Sequence, residues 1–163
     1  MADEIKQAVV KEIQTVFDEM GYKYDLYAEK SAFEIGFSLD ASINQTKIFL
    51  FVEDTYFIAL ATTPLIVSKN INSIYEYIAR INYGLLNGNF EINPENGEIR
   101  YKVYVNFDDK IPPKTAIVDS LVVPVSMMEK YIDGALSVMT GAVKPETAVV
   151  TANQIVKQKK DEC

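Results

Sequence analysis

Two neighbouring stretches, Thr46 to Val52 and Tyr56 to Thr62, are apolar in both phases of a period-two alternation, and only Glu53-Asp54-Thr55 separates them. They are too short for buried helices, rich in β-branched and aromatic residues, and joined by a polar turn, so they predict a β-hairpin. Side chains alternate along a strand. Ile48, Leu50 and Val52 then point one way and Phe49 and Phe51 the other, while Phe57, Ala59 and Ala61 oppose Tyr56, Ile58 and Leu60. An antiparallel sheet with one wet face shows polar alternation. These strands do not, so the apolar centre of the sheet needs cover on both faces. Either the helices divide between the two faces, or one face meets a second subunit or a partner peptide. On the second reading the candidate interaction surface is Phe49, Phe51, Phe57 and Tyr104.

The flanking segments supply the rest of the sheet and its helices. Ile5, Val9, Ile13, Val16, Phe17 and Met20 form a helical stripe that stops at Gly21. Ala32 to Asp40 alternates Phe33, Ile35, Phe37 and Leu39 with polar or small residues, as a half-buried strand does. Asn70 to Leu86 returns to helical spacing, with Ser73 and Glu76 at capping-box separation and Gly88 as the stop. Phe90 and Ile92, the turn Pro94-Glu95-Asn96-Gly97, and the alternation from Ile99 to Phe107 predict a second hairpin. A last helix is expected over Thr115 to Thr140, kinked or broken at Pro124 and ended by Gly141. The order α-β-β-β-α-β-β-α predicts one α+β domain over 1–141, a twisted antiparallel five-stranded sheet packed with three helices. The tail 142–163 is expected to fray or to add one short helix.

Composition narrows the chemistry. The chain has no histidine, hence neither the commonest general base nor the commonest metal ligand. Its one cysteine, Cys163, sits beside Asp161 and Glu162, which raise rather than lower a thiol pKa, and it has no partner for an internal disulfide. The acidic pairs Glu53-Asp54 and Asp108-Asp109 read as turns, and no glycine-rich phosphate loop follows a strand. No enzyme activity, cofactor or metal is therefore expected. A formal net charge of −7 disfavours nucleic acid and anionic lipid. The acidic N-terminus and the lack of a run of about 18 apolar residues lead to an expectation of a cytoplasmic protein without a membrane partner. Asn82 lies on the apolar side of its helix, where its amide must find partners: a bond to the following loop, or a ligand as a polar pocket residue.

The stretch Asn82-Tyr83-Gly84-Leu85-Leu86-Asn87-Gly88-Asn89-Phe90-Glu91, followed by Pro94-Glu95-Asn96-Gly97-Glu98-Ile99-Arg100-Tyr101, resembles the YbjN family. That resemblance, with the matching element order, covers roughly 1–141. It implies a fold like that of the type III secretion chaperones, small acidic proteins that bind extended segments of partners, commonly as homodimers. It brings no catalytic residues. The expected function is a non-enzymatic protein-interaction module, chaperone-like or regulatory, that binds a segment of another polypeptide. The alternative is a small-molecule-responsive regulatory domain with a pocket lined by some of the 10 tyrosines.

Overall fold

The computed structural model describes residues 2–161 and the side chains of 4–155. Helix α1 (Ala2–Glu19) leads into strand β1 (Tyr24–Tyr27), a single 3-10 turn (Ala28–Lys30), and strands β2 (Ala32–Ser38), β3 (Gln45–Val52) and β4 (Tyr56–Ile66). Helix α2 (Ile71–Asn82), strands β5 (Asn89–Ile92) and β6 (Glu98–Asn106), and helices α3 (Lys114–Thr140) and α4 (Pro145–Asp161) follow. All strand pairs are antiparallel, in the order β1-β2-β3-β4-β6-β5. The α+β class and the two hairpins match the sequence pattern. The sheet has six strands rather than five, because Tyr24–Tyr27 adds an edge beside β2.

The helices gather on one face. Phe17 of α1 meets Phe33 of β2 edge to face at 5.4 Å between ring centroids, and Phe90 of β5 meets Tyr131 of α3 in the same way at 5.8 Å. The Tyr77 hydroxyl of α2 donates to the Tyr131 carbonyl at 2.9 Å, which locks α2 to α3. Helix α4 packs on α2 and α3 through the small buried residues Ala148 and Ala152. Of the two alternatives for the tail, a frayed end or one more short helix, the structure has the helix, which runs to 17 residues. The basic cluster Lys157, Lys159 and Lys160, and the thiol of Cys163, lie outside the described side chains.

Two helix boundaries differ from the pattern. Helix α3 runs unbroken through Pro124, which is buried; the proline removes only the N–H that would reach the Ser120 carbonyl. Helix α2 ends at Asn82, short of Leu86, and Gly88 (φ 77°) instead turns the chain into β5. The capping box does not form: Glu76 pairs with Arg80 at 2.7 Å, and the Asn70 side chain donates to the Met139 carbonyl at 2.9 Å.

Two phenols inside this core give the fold an alkaline limit. Burial, then the neighbouring Tyr131, pushes the Tyr101 hydroxyl up to about 12, and burial first of all raises Tyr77 further. Both hold their protons more tightly folded than unfolded. The stabilisation is therefore complete below the unfolded value near 10 and is lost as pH rises from there through the folded values. The melting temperature should stay level to about pH 10 and then fall, with Tyr101 alone accounting for about 2–3 kcal/mol by pH 12. Thermal melts across pH 9–12 check this; a melting temperature unchanged over the range of roughly three pH units would contradict it.

Candidate interaction surface

Directly paired residues of neighbouring strands lie on the same face of a sheet, so the register sorts every apolar side chain. On the helix-covered face, Val52 pairs with Phe57, Leu50 with Ala59 and Ile48 with Ala61. On the opposite face, Phe51 pairs with Ile58 and Phe49 with Leu60. Odd-numbered residues of β3 thus share a face with even-numbered residues of β4. Phe57 accordingly leaves the group proposed with Phe49, Phe51 and Tyr104: its ring is 0% exposed and belongs to the core. The sequence showed the alternation within each strand but not the phase between strands, which the tight turn sets through a bond from the Glu53 N–H to the Tyr56 carbonyl at 2.8 Å.

Among the described residues, the second face carries no helix. Its residues form cross-strand rows. One row reads Tyr27, Ala32, Phe51, Ile58, Tyr104 from β1 to β6. The next reads Asp25, Glu34, Phe49, Leu60, Lys102, Asn89, and a third Gly36, Lys47, Thr62, Arg100, Glu91. Phe49, Phe51, Ile58 and Leu60 are only partly exposed because they shield one another, while Tyr104 is 54% exposed and packs its ring at 5.0 Å from that of Tyr56. Ile58, Leu60 and Tyr56 therefore join the surface in place of Phe57.

Charges border this apolar centre on both sides. On the β2 side the Glu34 carboxylate accepts from the Lys47 ammonium at 2.6 Å and from the Tyr27 hydroxyl at 2.9 Å. Those two bonds, Lys47 first, hold Glu34 below the usual carboxylate range. On the β6 side Glu91 binds the Arg100 guanidinium at 2.8 Å and the Lys102 ammonium. Partial burial pushes Glu91 up, but Lys102 and Arg100 together outweigh it and hold the carboxyl low. Both carboxylates are thus ionised near neutral pH, and their ion pairs fix the two borders in position. Sequence reasoning did not single out these charges; Arg100 and Lys102 show only as polar positions in the β6 alternation.

Asn82 stands apart from this surface. Its amide nitrogen donates to the Phe90 carbonyl, and its amide oxygen accepts from the Phe90 N–H, each at 2.9 Å. It brackets the end of α2 to the start of β5, the loop bond rather than the pocket position. The gap beside Tyr77 and Tyr131 holds about 10 Å3, and a cleft of about 570 Å3 between α2 and α4 is lined by Tyr83 as its one tyrosine and not by Asn82. A cleft of about 590 Å3 lies between α3, α4 and the β2–β3 loop, and neither a tyrosine nor Asn82 lines it. There Glu129 and Asp133 accept the N–H groups of Asp40 and Ser42 at 3.0 and 2.9 Å, pinning that loop to α3.

Among the described residues no cluster of acidic and sulfur ligands could hold a metal ion, and no helix is long and apolar enough to cross a membrane. Compared with known proteins, the chain matches no family model, no curated protein and no solved structure.

Proposed function

We propose that this protein is a non-enzymatic interaction module, chaperone-like or regulatory, that binds a segment of another polypeptide through the helix-free face of its sheet. The observation that carries the reading is the row structure of that face: contiguous Phe49, Phe51, Ile58, Leu60 and Tyr104, bordered by charges already held in ion pairs. A contiguous apolar patch rimmed by polar groups is the usual form of a protein contact. Absence of histidine, and carboxylates committed to neighbouring cations, speak for binding rather than chemistry. The resemblance to the YbjN family through 82–101 leads to the same reading, and a lone cysteine fits a reducing, cytoplasmic setting.

The test is capture from a native lysate with the full chain, beside Phe49→Asp and Phe51→Asp, after circular dichroism has established that each variant is folded. A polypeptide, whether another protein or a differently tagged copy of this chain, should be retained by wild type and about tenfold less by either variant. Equal retention by the variants, or no retained polypeptide of either kind, contradicts the proposal.

A further inference from the structure

The cross-strand rows are self-complementary, which identifies an occupant for the face. This inference rests on the interaction reading above and deepens it. Two identical sheets facing each other are related by a twofold axis lying in the plane between them. With that axis along the strands and between β3 and β4, each copy's β2 lies over the other's β6, and β3 over β4.

The rows then meet their own reverse. Phe51 faces Ile58, and Phe49 faces Leu60, making an apolar centre. Gly36, which is exposed, faces Arg100, so the smallest residue of the face receives one of the largest. Glu34 faces Lys102, an acid opposite a base. A symmetric contact makes each of these pairings twice. Tilting the axis by half the crossing angle gives the relation of about 30° between strand directions that twisted sheets adopt when they stack, without breaking the symmetry.

Size agrees with shape. Six strands spaced about 4.8 Å apart, on which β3 contributes eight residues, make a flat footprint of roughly 24 by 27 Å. That is about 650 Å2 per copy before side-chain relief is counted, against about 800 Å2 per partner in a standard stable interface.

We infer that the helix-free face is the interface of a homodimer, in which two copies stack sheet on sheet with Glu34 of each opposite Lys102 of the other.

A charge exchange tests the pairing itself. Sedimentation velocity on the full wild-type chain should give twice the 18.3 kDa monomer mass, and Phe51→Asp should give the monomer. Glu34→Lys and Lys102→Glu, each alone, place like charges opposite one another at both symmetric contacts, and should each raise the dissociation constant about tenfold or more. Mixing the two variants restores opposite charges at both contacts, so a heterodimer should form at close to wild-type affinity. A role for these residues within one chain would give no such rescue. Failure of the mixture to associate, or a dimer that persists in Phe51→Asp, overturns the inference. A wild-type monomer that captures a different polypeptide through this face also overturns it but leaves the interaction reading standing. A monomer that captures nothing removes both.

Discussion

Phe57→Asp should yield no folded protein, whereas Phe51→Asp, six positions earlier in the same hairpin, should yield a folded one that no longer associates. The contrast follows from register alone. The Phe57 ring is 0% exposed, paired with Val52 and Val105 under the helices. Removing it forfeits about 2–3 kcal/mol of apolar burial, and a carboxylate in its place adds several more for desolvation without a partner. Against a total stability of about 5–15 kcal/mol, that loss removes most or all of the fold. Phe51 lies on the helix-free face between Ala32 and Ile58, with access to solvent. There the carboxylate stays hydrated, at a cost of about 1–2 kcal/mol from lost packing and poor strand propensity. Far-ultraviolet circular dichroism with thermal melts reads the first effect, and sedimentation the second. A cooperative melt for Phe57→Asp near that of wild type would place the ring outside the core and refute the register.

Gly97→Ala should lower stability by about 3 kcal/mol, or roughly 10 °C in melting temperature for a chain of this size. Gly97 closes the β5–β6 turn at φ 76°, where a side chain costs about 1–2 kcal/mol. A Cβ there would stand 2.2 Å from the Val67 carbonyl oxygen, which is backbone and has no rotamer to change. To make room, the turn must pull away from the end of β4, straining the bond from the Val67 N–H to the Gly97 carbonyl at 2.8 Å. Gly21→Ala is the control. Its φ is similar, 71°, but nothing lies within 4 Å of the added carbon, so only the backbone term of about 1 kcal/mol remains. Equal melting temperatures for the two variants would show that the close approach to Val67 contributes nothing.

Legibility in the sequence followed the length and strength of each period. Helix α1, marked by Ile5, Val9, Ile13, Val16 and Phe17, and the long alternation of β6 were plain, although Met20 of that stripe falls past the helix end and is exposed. Strand β1 was not: Tyr24-Asp25-Leu26-Tyr27 contains only two alternations, with Tyr24 and Leu26 turned to the core, and so few residues carry no distinguishable period. Helix α4 was hidden for a different reason. It meets its neighbours through Ala148 and Ala152, small residues that allow close approach without marking an apolar stripe. The doubly apolar pattern of β3 and β4 calls for cover on both faces, and the described helices occupy just one. The apolar face left over was thus visible as a surplus, but its membership was not. That required the β3–β4 register, which moved Phe57 into the core and brought Ile58 and Leu60 out. The charged borders depend on strands far apart in sequence: Glu34 with Lys47 across β2 and β3, and Glu91 with Arg100 and Lys102 across β5 and β6.

The central claim, that polypeptide covers the helix-free face in solution, is tested most directly by hydroxyl-radical footprinting of the wild-type chain over a dilution series. Phe49, Phe51 and Tyr104 should be protected at high concentration and become modified together on dilution, at the concentration where sedimentation reports dissociation. Tyr83 and Leu86, fully exposed in the loop after α2, should be modified throughout. Modification of Phe49, Phe51 and Tyr104 that is the same at every concentration, and the same again in native lysate, would mean that nothing covers the face.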